Sequence, residues 1–347
     1  MRYADLHCDA LTAAAPGTSF LHRTTSQVSL EKLVGGDCLL QCFALFTPPA
    51  QDFARAEAVK TAGKRSAAGD GRARNSRSQS EPPGGAGTGA EKSGAGDPEE
   101  KFPGTEKTEE REETGAESPV WQRAQRCLSA FSAAEGELSA AGIRPVLTVE
   151  NGGVLEGELP RLDTLEKAGV KLFGFTWNEE NELGFPCGRP GGLKPFGKRV
   201  AEELLSRGIY PDVSHLSDEG FFEVAEIASA FRVPFVASHS LARSVCPHRR
   251  NLTDAQIRAV ADGGGLIGVN FVREFIGEAG ILAHIVHLWK TGGEDVLAVG
   301  SDFDGTDHPL YAGADEMPRF FEDLAHAGLP ASVLEKLAFR NALRLLS

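Results

Sequence analysis

The feature that most limits the folds open to this chain is a repeated rhythm of apolar strand, loop and helix, running through most of its 347 residues. Apolar runs of strand length lie at residues 3–8, 38–46, 143–149, 170–176, 209–214, 233–238, 265–271 and 296–300. Near-continuous apolar strands are the pattern of a parallel sheet covered on both faces. Helical patterns separate them at 30–34, 52–64, 121–140, 162–168, 197–207, 219–231, 253–262 and 281–290, and two more close the chain at 316–327 and 331–346. Eight strands alternating with helices predict a (β/α)8 TIM barrel. The main rival, a doubly wound open sheet, would normally carry a Gly-rich dinucleotide turn after its first strand, and none is present.

One segment breaks the rhythm. Residues 66–118 are Gly, Ser, Pro, Glu, Lys and Arg with Phe102 as the only large apolar side chain. Such a composition cannot bury enough apolar surface to offset its ordering entropy, so it reads as a disordered insertion within one domain spanning 1–347. A regulatory or partner-binding segment is the functional alternative. The formal net charge of -13 argues against a nucleic-acid or anionic-membrane partner. No apolar run is long enough to span a bilayer, and the chain opens directly into the strand carrying His7, which points to a cytoplasmic protein. The six cysteines form no C-x-x-C pair and read as reduced, mostly buried thiols.

Residues able to hold a metal collect at the strand ends. His7 and Asp9 follow the first strand, Glu150 the third, His215 the fifth, His239 the sixth and Asp302 the eighth. Carboxyl ends of barrel strands share one face, where active sites of this fold lie. In a strand, side chains two apart point the same way, so His7 and Asp9 converge while Cys8 faces away. Each residue alone has a plainer reading: a hydrogen-bonded loop histidine, a turn carboxylate at Glu150, a turn cap at Asp302 or Asp304. Six such groups at strand ends favour metal binding collectively. They exceed what one tetrahedral zinc needs, and two metals bridged by Glu150 would use them better.

The motifs together resemble the renal-type or membrane dipeptidases, peptidase family M19, of the amidohydrolase-like barrel superfamily. They are Asp-Leu-His-Cys-Asp at 5–9, Val-Glu-Asn-Gly-Gly at 149–153, Asp-Val-Ser-His at 212–215, Ala-Ser-His-Ser-Leu-Ala-Arg at 237–243, Arg-Arg-Asn-Leu at 249–252 and Gly-Ser-Asp-Phe-Asp-Gly at 300–305. The resemblance implies two Zn2+ ions, one held by His7, Asp9 and Glu150 and the other by Glu150, His215 and His239. It further implies that Asp302 handles the proton of the bridging water and that Arg250 binds the terminal carboxylate of a dipeptide. Family members are often dimers, which leaves a homodimer open. Many members also carry a substrate-binding histidine after the fourth strand. Trp177 stands there instead, so Trp177, Asn178 or Asn181 would have to serve the substrate, or Trp177 is purely structural. The expected activity is zinc-dependent dipeptide hydrolysis. The alternatives are a related amidohydrolase acting on another amide, cyclic amide or lactone, and a metal-binding scaffold without turnover.

Overall fold

The computed structural model describes residues 1–13, 19–48 and 117–347. Eight parallel strands close into a barrel in chain order: β1 (Tyr3–Asp5), β2 (Cys38–Leu45), β3 (Arg144–Val149), β4 (Val170–Gly174), β5 (Tyr210–Asp212), β6 (Val236–Ser240), β7 (Leu266–Val269) and β8 (Leu297–Val299). The helices around it are α1 (Leu30–Gly35), α2 (Pro119–Ala140), α3 (Arg161–Lys167), α4 (Pro195–Ser206), α5 (Asp218–Phe231), α6 (Asp254–Asp262), α7 (Arg273–Ile276) and α8 (Gly280–Gly292). After β8 come α9 (Met317–His326), α10 (Ala331–Glu335) and α11 (Asn341–Leu346). The fold is thus the expected (β/α)8 barrel.

Strand alternation builds two cores. One face of the strands packs Tyr3, Phe43, Leu147 and Phe173 against the helices. The other face fills the lumen with Ala4, Leu40, Val146, Leu172, Val236, Leu266 and Ala298, and Ala342 and Leu346 of α11 join that cluster. The lumen is therefore a packed floor, and only the carboxyl ends of the strands are free to carry a site. Polar residues start the helices at defined points. Thr253 and Gln256 form a reciprocal capping box on α6, and Ser217 accepts the Gly220 N–H at the start of α5.

Several elements differ from the sequence expectation. β1 ends at Asp5 rather than at residue 8, because the Asp5 carboxylate accepts the His7 N–H and turns the chain. His7 and Asp9 therefore converge from a loop, while Cys8 makes a single bridge to Phe303 and lies in the core, as expected of it. β6 runs to Ser240, so His239 lies inside the strand and not after it. The closing helix predicted over 331–346 carries a π-turn at Lys336–Arg340 between α10 and α11. The predicted helix 52–64 and residues 66–116 of the predicted insertion lie outside the described residues, whereas Ser118 caps α2 by accepting the Trp121 N–H. No helix among the described residues is long and apolar enough to cross a membrane.

Three strands meet with no room for side chains. A Cβ at Gly268 of β7 or at Gly300 just past β8 would fall inside the Ser238 carbonyl of β6. Gly300→Ala should therefore lower stability by about 3 kcal/mol or more, read as a shifted urea midpoint, since a rigid backbone cannot yield.

Candidate metal centre

Six side chains from five strand ends point into one basin. The Nε2 atom of His7 lies 3.5 Å from Asp9 Oδ2, 3.9 Å from Glu150 Oε1 and 3.8 Å from Asp302 Oδ1. Across the basin, His215 Nε2 is 3.2 Å from Glu150 Oε1 and 2.9 Å from His239 Nε2, while His239 Nε2 is 3.9 Å from the same oxygen. Donors about 2.0–2.2 Å from one tetrahedral cation lie roughly 3.3–3.6 Å apart, so these separations suit metal ligation. Three overlapping triads result: His7 with Asp9 and Glu150, Glu150 with His215 and His239, and His7 with His239 and Asp302. Glu150, His7 and His239 each belong to two of them, so the triads form one connected donor cluster.

Two further observations fit a resident cation. The buried atoms His7 Nε2 and Asp9 Oδ1 have no hydrogen-bond partner. Asp9, Glu150 and Asp302 are all buried in one basin, a concentration of negative charge that needs a compensating cation. The proton affinities record that strain. Burial raises Glu150 well above the usual carboxylate range, and Asp9 and Asp302 add to it. Burial likewise raises Asp302, against the opposing pull of His7. Burial alone would lower His7, but Asp9, Glu150 and Asp302 outweigh it and push the imidazole up to about 10. His215 and His239 have no such excess of acids and are held well below the usual histidine value, chiefly by burial.

A hydrogen-bond chain orients His239. Asp212 accepts from the Ser214 N–H at 3.1 Å, the Ser214 hydroxyl at 2.7 Å, the Ser238 N–H at 3.0 Å and the Ser238 hydroxyl. The Ser238 oxygen then lies 2.8 Å from His239 Nδ1. With its own proton given to Asp212, that hydroxyl accepts from Nδ1–H and leaves the Nε2 lone pair free for a metal. The pairing of β6 with β7 shifts register between Ala237 and Ser240, an irregularity that lets His239 depart from strict alternation and enter the basin. On the adjoining strand end, Asn270 donates to Asp302 Oδ2 at 2.9 Å and leaves Oδ1 facing His7.

The basin opens into a cavity of about 300 Å³ lined by Asp9, Glu150, His215, Asp302 and Arg250, and by Trp177, Asn178, Phe46 and Phe275. All the site residues expected from sequence thus share one pocket or its floor, except Asn181. Its Nδ2 donates to Phe175 O and Asn151 Oδ1, and its Oδ1 accepts the Leu183 and Gly184 N–H groups, so it clamps the loop. Arg250 is buried, donates from Nη2 to His239 O at 3.4 Å, and has no partner for Nη1. Sequence reasoning missed Asp212, Ser214, Ser238, Asn270 and Phe46. The first three sit inside the matched motifs and Asn270 ends an apolar strand run, a signal that could have found them.

The membrane dipeptidase (peptidase family M19) model matches residues 1–347. The chain belongs to this family. It is 37% identical over 221 residues to an uncharacterized protein in the pqqA 5' region of Klebsiella pneumoniae, covering 58% of this chain and 80% of that protein. Among solved structures it is similar to a metallo peptidase from Rhodobacter sphaeroides liganded with a phosphinate mimic of the dipeptide L-Ala-D-Ala. That match has a TM-score of 0.69 at 22% identity and covers 100% of this chain and 98% of the other. The probable dipeptidase PvdM from Pseudomonas aeruginosa gives a TM-score of 0.71 at 18% identity, covering 99% of this chain and 94% of that one. At these identities the two structures share the barrel fold with this chain.

Two outcomes are expected. Ser238→Ala should weaken divalent metal binding about 10- to 100-fold in a chelator competition, because His239 loses the acceptor that fixes its tautomer. Metal loading near pH 7 should release protons in an unbuffered titration. The imidazole of His7 is raised to about 10 without metal and must deprotonate to ligate, so affinity should rise with pH.

Proposed function

We propose that this protein is a zinc-dependent dipeptidase with a two-ion centre bridged by Glu150. The observation that carries the reading is the joining of the two donor groups, sharing Glu150, with a buried arginine whose Nη1 is unpartnered beside them. His7, Asp9 and Glu150 would hold one ion, and Glu150, His215 and His239 the other. Bound there, the ions would lower the pKa of a shared water and polarise a peptide carbonyl.

The chain's own residues account for the rest. Arg250 offers a guanidinium fork to the terminal carboxylate and so sets which peptide bond lies over the basin. Asp302 takes a proton from the attacking water at Oδ1, with Oδ2 held by Asn270, and passes it to the amine as the C–N bond breaks. Trp177 and Asn178 line the cavity where the remainder of the substrate would sit. The small cavity favours a short substrate, being at the lower end of the usual range for ligand pockets.

Protein loaded with two equivalents of zinc should hydrolyse dipeptides and lose activity to a chelator. No turnover across a broad dipeptide panel, or faster turnover of lactones or cyclic amides, would reject the proposal. Asp302→Asn should reduce kcat about 10²- to 10⁴-fold with zinc content unchanged. Replacing the substrate's terminal carboxylate by an amide should cost at least about tenfold in kcat/KM, a penalty that Arg250→Met should abolish.

A further inference from the structure

We infer that Trp177, braced by Phe46, forms the subsite for the side chain of the substrate's amino-terminal residue, and that the site prefers dipeptides beginning with a bulky apolar residue. This inference rests on the dipeptidase reading above. Trp177 follows β4 and packs edge-on against Phe46, which follows β2, with ring centroids 5.0 Å apart at 61°. The indole also lies 6.4 Å from the His215 ring, so the pair forms an apolar wall beside the metal ligands. Both rings are only partly buried and both line the cavity. The indole Nε1–H has no acceptor among the described residues, and the neighbouring Asn181 is committed to backbone groups and Asn151.

The direction of the substrate follows from the ring of strands. Arg250 contacts the backbone of β6 and lies over Phe275, just past β7, at 5.6 Å. In a closed barrel of this order β2 is four strands from β6 and β4 is two, so the Phe46–Trp177 pair stands away from Arg250 on the rim. A dipeptide with its carboxylate on Arg250 and its peptide bond over the basin therefore extends its first residue toward Phe46 and Trp177.

Among the described residues that line the cavity, a charged first side chain finds no oppositely charged partner beside Phe46 and Trp177. The charged groups lining the cavity are the metal-site acids, Arg250 and Asp304. Asp304 is already engaged, accepting from the Ser26 hydroxyl at 2.5 Å, the Gln27 N–H at 2.7 Å and the Val28 N–H at 3.2 Å. An apolar side chain gains contact with two aromatic rings at no cost in unpaired charge.

The test is kcat/KM for an X-Ala series, with X as Gly, Ala, Leu, Phe, Asp or Lys, on the zinc-loaded full chain and on Trp177→Ala and Phe46→Ala. Leu-Ala and Phe-Ala should exceed Gly-Ala and Asp-Ala by at least about tenfold, as expected for several carbons placed in an apolar subsite. Trp177→Ala should shrink that ratio below about threefold while zinc stoichiometry, which reports an intact fold, stays at the wild-type value. Should Trp177→Ala fail to fold, Phe46→Ala decides the matter, since loss of the brace should also shrink the ratio. A flat or charge-preferring wild-type profile, or variants that keep the preference, would overturn the inference and leave the dipeptidase reading standing. A chain that turns over none of the series would refute that reading and this inference together.

Discussion

Electrostatic repulsion among Asp9, Glu150 and Asp302 is the constraint around which the upper face of the barrel is built. Three buried carboxylates cannot share a basin unless positive charge is brought to them. Among the described residues Arg250 supplies a fixed cation there, and its guanidinium keeps one nitrogen without a partner. His7 responds by holding its proton tightly, whereas burial, together with the neighbouring charges of His7 and Arg250, keeps His215 and His239 from doing so. A bound metal cation would relieve both conditions, since it would neutralise the acids and use the free lone pairs of the imidazoles.

Backbone geometry does as much as side-chain chemistry in placing these groups. Asp302 and Asp304 both adopt the left-handed region, at φ 62° and 64°, a conformation aspartate tolerates better than most residues. The Asp304 carboxylate ties this loop to residues 26–28, and the Gln27 side chain accepts the Asp304 N–H and donates to Thr306 O. Gly305 then lies against the Asp302 and Asp9 carboxylates, where a Cβ would collide with both. At the other side of the basin the irregular β6–β7 pairing and the Asp212–Ser238 chain fix His239. The ligand positions are thus held by tight turns and shared hydrogen bonds, with little slack to absorb a changed residue.

Much of this was readable from residue order. The apolar strands gave the barrel, because a parallel sheet buried on both faces leaves long apolar runs that few other arrangements produce. The candidate metal-binding residues His7, Asp9, Glu150, His215 and His239 and the candidate proton carrier Asp302 were legible because the fold places every strand end on one face. What escaped was set by local geometry. The alternation argument for His7 assumed a strand through residue 8, yet the Asp5 carboxylate ends it early. His239 was expected after β6 and instead lies within it, because a shift of register does not show in the order of apolar residues. The serines and Asn270 that orient ligands carry no distinctive sequence chemistry, since hydroxyls and amides acquire such roles only through distance.

The loop after β4 shows how one barrel can keep its metal centre and still vary its substrate side. Asn181 fixes that loop by bonding to Phe175 O, to the Leu183 and Gly184 N–H groups and to Asn151, the residue beside Glu150. The clamp is made by backbone and amides, so it does not depend on which side chain occupies position 177. Trp177 can then face the cavity without altering how Glu150 or His215 is held. A substitution there changes what the substrate meets, from a group able to titrate to a broad apolar surface with one hydrogen-bond donor. Metal-site rigidity and wall variability are consequently separate properties of adjacent residues, and the clamp at Asn181 is what separates them.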